Sequence, residues 1–388
     1  MADGREIAEM SSPDETGPRK GIRLNRLKVR NFKVLDDLDL ELPPPELPDD
    51  PDVLVLGSRN GLGKTSVLDS CALLFLSASL SDGLEMDWRS ILGGAGMPLD
   101  WVDLIVRAGH DEARIEGEIE ADGATYSLDV SVYRAGRRLF ARGDSGAFAR
   151  TLRERQPQSW LQNPYEAARG FFFALAGGSP DPLLYPPLLY FHSYRKVVEG
   201  NAQLGKMVVQ GASIAPVQPP SPWSQPVSAL KLTLLRSMMG QKGLLEGVTH
   251  TEANETIEKL NELMREYAGG TIEKLRPSSD NSIEFRISYG NEGESFTFDG
   301  LSSGQKEIIS TFFLIWLHTH SSPGIILIDE PELHLNAEWQ VGLIRRLYEL
   351  VPGNQLIVAT HAQDVFASVE PSRRVILEVS RGSVRGGN

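Results

Sequence analysis

The chain has 388 residues, of which 41% are hydrophobic, 23% charged and 7% aromatic. This balance is typical of a globular protein with a sizeable core, and at roughly 150 residues per domain the length predicts two to three domains. The formal net charge of −13 excludes a chain that coats nucleic acid with its whole surface, and leaves room only for a local contact.

Neither export nor membrane insertion is expected. The longest apolar runs, Cys71–Leu76 and Thr311–Leu317, fall far short of the ~20 residues that a membrane span needs. Met1–Lys20 is acidic and rich in turn residues, so it predicts a disordered tail rather than a signal peptide. The single cysteine suits a reducing compartment. We therefore expect a cytoplasmic protein with no membrane contact.

The N-terminal half predicts strands on either side of a glycine-rich loop. Ile22–Arg30 and Val34–Leu42 alternate apolar and polar residues, which predicts a hairpin. Val53–Leu56 is a short apolar run typical of a fully buried strand, and a helix is expected from Lys64 to Ser79. A small antiparallel sheet and then an apolar strand are predicted at Leu104–Ala108, Ala113–Ile119, Thr125–Tyr133 and Leu188–Phe191.

The middle of the chain predicts a loop and a pair of helices. Gly211–Val227 contains five prolines and three serines, which is typical of a flexible loop or lid. Ala229–Met239 and Glu252–Tyr267 predict two helices that form a short arm, much shorter than a long coiled coil. Ser282–Ser288 and Ser295–Phe298 predict strands.

Strands and helices alternate in the C-terminal third, which predicts a parallel sheet covered on both faces. The expected elements are a helix from Ser303, a strand at Ile325–Ile328, a helix at Ala337–Leu350, a strand at Leu356–Ala359, a short helix at Gln363–Ser368 and a strand at Arg374–Val379.

The strongest motif lies between the strand at Val53–Leu56 and the following helix. It comprises Ser58, Arg59, Asn60, Gly61, Leu62, Gly63, Lys64, Thr65 and Ser66. In a phosphate-binding P-loop, glycines turn backbone N–H groups toward the phosphates, a lysine reaches the outer phosphates and a hydroxyl residue holds Mg²⁺. Gly61 and Gly63, Lys64 and Thr65 supply these parts, so we expect bound ATP and Mg²⁺.

A second motif is the apolar run Ile325–Ile328, which ends in Asp329 and Glu330. Both acids are expected at the carboxyl end of a buried parallel strand, where ligands of such sheets bind. Asp329 is predicted to orient the Mg²⁺ shell, and Glu330 to polarise the water that attacks the γ-phosphate. A solvated acidic turn is the plain alternative for this segment taken alone.

Two weaker motifs follow strands or begin helices. Ser302, Ser303, Gly304 and Gln305 stand at the start of a predicted helix, where either serine would also serve as an ordinary N-cap. His361 follows the apolar strand at Leu356–Ala359, and a structural role for it is equally well supported by the sequence.

The order of these motifs resembles that of ATP-binding-cassette (ABC) ATPases. It is more closely similar to the SMC-like heads of DNA-repair ATPases and to ATPase modules of the overcoming-lysogenisation-defect type, within the broad AAA class, and to anti-phage defence ATPases. The predicted hairpin that ends at Arg30–Lys33 and the Asp329–Glu332 segment fit that branch. Ser303, where many members have glycine, and Asn336-Ala337 in the loop after the acids depart from it.

The resemblance implies further roles. Two protomers would sandwich two ATP molecules, with Ser302 and Gly304 of one capping the γ-phosphate held by the other. His361 would sense the γ-phosphate, and Arg30, Asn31, Phe32 and Lys33 would lie near adenine and ribose. The metal-contacting glutamine loop would fall near Tyr190–Ser193.

The resemblance also predicts the architecture. It is an α/β P-loop ATPase head of ABC and SMC type, with a mostly parallel core sheet covered by helices, an antiparallel N-terminal lobe and a short helical insertion. The expected divisions are a tail at 1–20, an N-terminal ATPase lobe at 21–200, a proline-rich loop and helical arm at 201–280 and a C-terminal ATPase lobe at 281–388.

The leading hypothesis for function is an ATPase whose ATP-dependent dimerisation, or higher assembly, switches a DNA- or partner-binding surface. Anti-phage defence with a separate nuclease or toxin effector is the favoured setting, and DNA repair the alternative. A transporter energy subunit is disfavoured, because the interval from Lys64 to Leu301 is much longer than in those compact ATPases. No intrinsic nuclease activity is expected, because few residues follow Val379.

A local contact with double-stranded DNA has one candidate in the sequence. Arg134–Arg155 holds seven arginines against Asp144 and Glu154. A solvated hairpin and loop is the favoured interpretation, and a site for phosphate backbones is the other.

Overall fold

The structure is a computed structural model that describes residues 21–47, 50–57, 61–81, 101–155, 164–176, 182–193, 202–203, 229–242, 249–277, 282–290 and 295–377. The predicted tail Met1–Lys20 and the predicted loop Gly211–Val227 lie outside the described residues. Strands are numbered β1–β15 and helices α1–α8 in chain order. In these ranges no helix has both the length and the apolar character that crossing a membrane requires.

A five-stranded antiparallel sheet contains the predicted N-terminal hairpin, in the order β2-β1-β4-β5-β6. Its strands are β1 (Ile22–Phe32), β2 (Leu35–Glu41), β4 (Glu112–Ala121), β5 (Ala124–Tyr133) and β6 (Arg138–Gly143). In β1, Leu27 and Val29 are fully buried, while Arg26 on the other face pairs with Asp39 of β2 at 2.8 Å. One face therefore covers a core and the other carries charge pairs in solvent.

The predicted strand at Leu104–Ala108 is wrong, because this segment forms a run of turns. The N–H groups of Ile105 and Val106 both donate to the carbonyl of Val102, at 3.0 and 2.8 Å. Only a single bridge, from Val106 to Phe32, joins it to a strand among the described residues. The three residues Val102, Ile105 and Val106 are buried at helical spacing, so local hydrogen bonds replace strand pairing.

A six-stranded sheet forms the centre of the chain, in the order β15-β3-β14-β13-β8-β7 and parallel except for β7. Its strands are β3 (Val53–Gly57), β7 (Leu183–Tyr185), β8 (Leu188–Phe191), β13 (Ile325–Asp329), β14 (Gln355–Thr360) and β15 (Arg374–Ile376). Strands β3, β13 and β14 are buried along their whole length, as their apolar sequences predicted.

Helices cover both faces of this central sheet. They are α1 (Lys64–Leu80), α2 (Ser145–Arg155), α3 (Pro164–Leu175), α4 (Ala229–Gln241), α5 (His250–Ala268), α6 (Ser303–Thr319), α7 (Ala337–Leu350) and α8 (Gln363–Ala367). Alternate residues of the sheet face two cores. The first core joins it to α1 and the antiparallel sheet, and the second joins it to α4–α7.

The predicted helical arm is also wrong for the described residues, because its helices pack into the second core. Leu260, Leu263 and Met264 of α5 are buried there together with residues of α6. A capping box between Thr249 and Glu252 fixes the start of α5.

A third, small sheet is antiparallel. Its strands are β9 (Ala202–Gln203), β10 (Thr271–Pro277), β11 (Ser282–Ser288) and β12 (Ser295–Thr297).

One buried glutamine joins the central sheet to the antiparallel sheet. Gln355 Nε2 donates to the carbonyl of Leu24 at 2.9 Å, and the Leu24 N–H donates to Gln355 Oε1 at 2.8 Å. Strand β1 changes register between Leu24 and Arg26, so its backbone groups there need partners. The amide side chain supplies both, and thereby fixes the hairpin relative to the strands that carry the site.

Candidate ATPase site

The glycine-rich loop connects the end of β3 to the start of α1. Gly61 and Gly63 have φ of +81° and +96°, a left-handed backbone that favours glycine. A β-carbon on Gly63 would lie 2.7 Å from Leu35 Cδ2, so the loop also packs closely against the turn after β1. Lys64 and Ser66 are buried and Leu62 packs against the first core, whereas Ser58, Arg59 and Asn60 lie outside the described residues.

The predicted metal residues meet at the carboxyl end of β13. Thr65 Oγ1 donates to Asp329 Oδ2 at 2.8 Å. The pKa of Asp329 is raised to about 6, chiefly because the carboxyl group is buried; the charges of Glu330 and Asp69 add to this shift, and hydrogen bonds from Thr65 and Ser193 oppose it. A buried carboxylate beside hydroxyl donors is a hard oxygen set that fits Mg²⁺.

A cage of three or more acidic, histidine or cysteine side chains is absent from the described residues. Mg²⁺ does not require one, because it is usually held by one or two protein oxygens together with substrate phosphates and water. Thr65 and Asp329 are therefore a sufficient protein contribution to a nucleotide-bound Mg²⁺.

The predicted base and sensor are adjacent to the P-loop lysine. His361 Nε2 lies 3.2 Å from Glu330 Oε1, and His361 Nδ1 lies 3.1 Å from Lys64 Nζ. Because an ammonium group only donates, Nδ1 is the acceptor, and Nε2–H donates to Glu330. Burial lowers the pKa of Lys64, and the charges of Asp329, Glu330 and Glu332 oppose that shift.

The backbone at Glu330 has an unusual conformation. Its φ is +49°, in the left-handed region that costs a non-glycine residue free energy. The Glu330 N–H donates to the carbonyl of Ala359 on the neighbouring strand at 2.7 Å, which holds this conformation in place. Strain of this kind is typical of functional sites.

The end of β1 and the turn after it contain Arg30–Lys33, the residues expected near adenine and ribose. The turn lies next to the P-loop, and these four side chains have different surroundings. Lys33 Nζ pairs with Asp69 Oδ2 at 2.6 Å, and Phe32 is fully buried in the first core. The left-handed backbone at Asn31 (φ +52°) interrupts the alternation of β1 and turns Phe32 inward. Arg30 is exposed and its Nε lies 3.7 Å from Asp37 Oδ1, and the expected position of these four residues near adenine and ribose stays a prediction.

Sequence reasoning missed Asp69 as part of this site. It is the single acidic residue of the apolar helix α1, one turn after Thr65, which is a signal that the sequence did offer. Its Oδ1 accepts from the hydroxyl of Tyr190 at 2.9 Å, and its Oδ2 accepts from Lys33. Asp69 thus connects the turn after β1 to Tyr190 near the end of β8. The glutamine loop was predicted near Tyr190–Ser193, at this same end of β8.

The predicted signature begins α6. Ser302 is the N-cap and forms a capping box with Gln305, whose Nε2 also donates to the carbonyl of Tyr267 at 3.0 Å. Ser302 and Ser303 are exposed, while Gly304 is buried. A β-carbon on Gly304 would lie 2.4 Å from the carbonyl oxygen of His334, so the predicted signature packs against the loop that follows Asp329 and Glu330.

The arginine-rich stretch forms a turn, β6 and α2 rather than a plain hairpin and loop. Arg134 donates to the carbonyl of Val106 at 3.0 Å and pairs with Asp103. Arg155 is 5% exposed and donates to Asp122 at 3.1 Å. These two arginines hold the fold together, which reduces the number that could contact DNA.

The family model matches the part of the chain that contains the predicted signature, Asp329, Glu330 and His361. Residues 246–365 match a family model described as an AAA domain, putative AbiEii toxin, type IV TA system. A 120-residue segment is 29% identical to Septu protein PtuA of Bacillus thuringiensis. That alignment covers 28% of this chain and 30% of the length of the relative.

Structure comparisons extend over nearly the whole chain. A structure of an SMC head bound to the C-winged helix domain of ScpA aligns with a TM-score of 0.50 and 14% identity, over 93% of this chain and 96% of that one. An SMC head domain with an extended coiled coil, bound to the C-terminal domain of ScpA derived from Pyrococcus furiosus, gives 0.50 and 13%, over 92% and 93%. The fold is that of a P-loop ATPase head of the ABC and SMC type, and the predicted fold class is confirmed.

Proposed function

We propose that the protein binds and hydrolyses ATP. The observation that carries this proposal is the convergence of Lys64, Thr65, Asp329, Glu330 and His361 within hydrogen-bonding distance at the ends of adjacent parallel strands. No single one of these residues is diagnostic. A phosphate-binding lysine, a hydroxyl–carboxylate pair and a carboxylate–histidine pair together meet the needs of nucleotide hydrolysis.

Each side chain has a distinct task in this proposal. Lys64 binds the β- and γ-phosphates, and Thr65 and Asp329 hold Mg²⁺, which when bound neutralises phosphate charge. Glu330 accepts a proton from the attacking water, for which a carboxylate beside the phosphate site is suited. His361 Nε2–H, which donates to Glu330 in this structure, is in position to donate to a γ-phosphate oxygen instead.

We propose further that ATP closes two protomers into a dimer, with each signature facing the P-loop of the other, as a homodimer or within a higher assembly. Support comes from the exposed Ser302 and Ser303 at the start of α6. A helix N-terminus with exposed hydroxyls is a suitable donor set for a phosphate. Because Gly304 packs on the loop after Glu330, a change at one site can reach the other.

The setting that we propose is anti-phage defence in the cytoplasm, with a separate nuclease or toxin effector and a response to double-stranded DNA or to a protein partner. Support comes from the local likeness to Septu protein PtuA and from the family model that names a putative toxin. DNA repair is the alternative, since the fold is that of SMC heads.

The test of ATP use is equilibrium binding and steady-state hydrolysis by the wild type, by Lys64→Ala and by Lys242→Ala, a control that removes an exposed lysine. Wild type and control should bind and hydrolyse ATP, and Lys64→Ala should lose binding. Retained affinity in Lys64→Ala would contradict the P-loop assignment. Repeating hydrolysis with double-stranded DNA tests the DNA link: stimulation supports it, and indifference points to a protein trigger.

A further inference from the structure

The segment after β13 carries a third carboxylate, Glu332, two residues beyond the proposed base. Its Oε1 accepts hydrogen bonds from two successive backbone N–H groups, those of His361 at 2.8 Å and Ala362 at 3.0 Å. Both groups belong to the loop between β14 and α8. A side chain from the end of one strand therefore anchors the backbone at the end of the next.

The anchored backbone carries the ring of His361. The side chain is 33% exposed, so core packing does not fix it. Its two ring nitrogens nevertheless lie 3.1 Å from Lys64 Nζ and 3.2 Å from Glu330 Oε1. Because the ring is attached to the anchored backbone, a shift of the loop would lengthen both contacts together.

The second oxygen of the Glu332 carboxylate is placed at a cost in free energy. This oxygen, Oε2, is shielded from solvent and makes no hydrogen bond within the described ranges. Withdrawing a carboxylate oxygen from water without a partner costs free energy. The Ala362 N–H already has a second acceptor in Thr360 Oγ1 at 3.0 Å, so the bond to His361 is the one for which Glu332 matters most.

We propose that Glu332 is a positioning residue, which holds the backbone of His361 so that its ring bridges Lys64 and Glu330. The proposal rests on the proposed ATPase function. Removing the acceptor should release the loop, move the ring away from Glu330 and slow turnover, while the P-loop and its affinity for ATP remain. Misplacement of a catalytic group by about 1 Å can cost on the order of a hundredfold in rate.

The first arm of the test is hydrogen exchange in the nucleotide-free protein, in peptides that span 360–366. Glu332→Ala should exchange the amides of His361 and Ala362 at least about tenfold faster than the wild type. Glu332→Gln should stay within about threefold, because its amide oxygen accepts the same bonds. The matched control, Glu338→Ala, removes an exposed glutamate of α7 and should leave this segment unchanged. Equal protection in Glu332→Ala would overturn the proposal.

The second arm separates kcat from KM for ATP hydrolysis in the same variants. We expect kcat of Glu332→Ala to fall by at least about tenfold with KM within about twofold, and Glu332→Gln to recover most of kcat. Unchanged kcat in Glu332→Ala, or a Gln variant that keeps protection but loses turnover, would contradict positioning. Absence of hydrolysis by the wild type would refute the proposed function instead, and the exchange arm would still decide whether Glu332 holds the loop.

Discussion

Replacing Asp329 by asparagine should stabilise the nucleotide-free protein at pH 8. The Asp329 side chain is buried at the end of β13, and the substitution keeps its size and the oxygen that accepts from Thr65. It removes a negative charge that has been withdrawn from water and lies near Glu330 and Asp69. Such a cost in stability is expected of a group that serves a bound cation, which is the role proposed for Asp329.

The magnitude follows from the pKa. Burial raises the pKa of Asp329 from 3.8 to about 6, and at ~1.4 kcal/mol per unit this shift corresponds to about 3 kcal/mol. Because the folded-state pKa is the higher one, protonation favours folding. That contribution is complete below about pH 4 and is lost as the pH rises through about 6. At pH 8 the wild type, in which Asp329 is ionised, therefore lacks this contribution to the free energy of unfolding. The Asn variant has no group that titrates at this position, so it does not lose stability in this way.

Urea unfolding between pH 4.5 and pH 8 measures this difference, with Asp36→Asn on the exposed face of β2 as the matched control. We expect Asp329→Asn to exceed the wild type by about 1–3 kcal/mol at pH 8 and to converge with it toward pH 4.5. The control should stay within about 0.5 kcal/mol throughout. The reasoning would be refuted if Asp329→Asn were less stable than the wild type at pH 8, or if the difference in free energy of unfolding between them were the same at every pH.

Three further substitutions probe the contacts that hold the site in place. Gln355→Leu leaves two backbone groups of β1 without their buried partner and should cost about 2–4 kcal/mol in urea unfolding; a neutral result would mean that the two sheets are joined elsewhere. Lys231→Met removes a buried ammonium that pairs with the partly exposed carboxylate of Asp299 at 2.6 Å, and it should cost about 1–3 kcal/mol by the same assay; an unfolding midpoint equal to that of the wild type would contradict this expectation. Gly304→Ala forces a β-carbon against the carbonyl of His334 and should reduce ATP hydrolysis while ATP affinity is kept; full activity would show that the two segments need not pack so closely.

The parts of the fold that could be predicted are those with local signals. Alternation predicted the hairpin of β1 and β2, and uninterrupted apolar runs predicted β3, β13 and β14. The parallel arrangement brings the ends of these strands together, so the P-loop and the two acids were expected to meet. For Lys64, Thr65, Asp329 and Glu330 the sequence was therefore enough to predict proximity.

Long-range side-chain contacts could not be predicted. The family resemblance implied a position near adenine and ribose for Lys33, but its ammonium group pairs with Asp69, a residue far along the chain. Gln305 reads as part of a ligand-binding signature, yet its side chain completes a capping box and contacts α5. Glu332 was visible as part of an acidic segment, but its partners on the loop after β14 depend on the order of strands in the sheet.

The helical arm failed as a prediction for a different reason. Ile257, Leu260, Leu263 and Met264 recur at helical spacing, which predicts an apolar face but does not identify what covers it. In the structure that face lies in the second core beside α6. The pattern therefore fixed the helix correctly, and the wrong inference concerned only its partner.

The central claim is that ATP is hydrolysed by Glu330 within a dimer of two heads. The most direct measurement is light scattering of Glu330→Gln with and without ATP and Mg²⁺, alongside its turnover. We predict that Glu330→Gln binds ATP, doubles its mass and does not turn over, because the sandwich forms and the base is absent. Hydrolysis at the wild-type rate would contradict the role of Glu330, and a mass unchanged by ATP would contradict dimerisation.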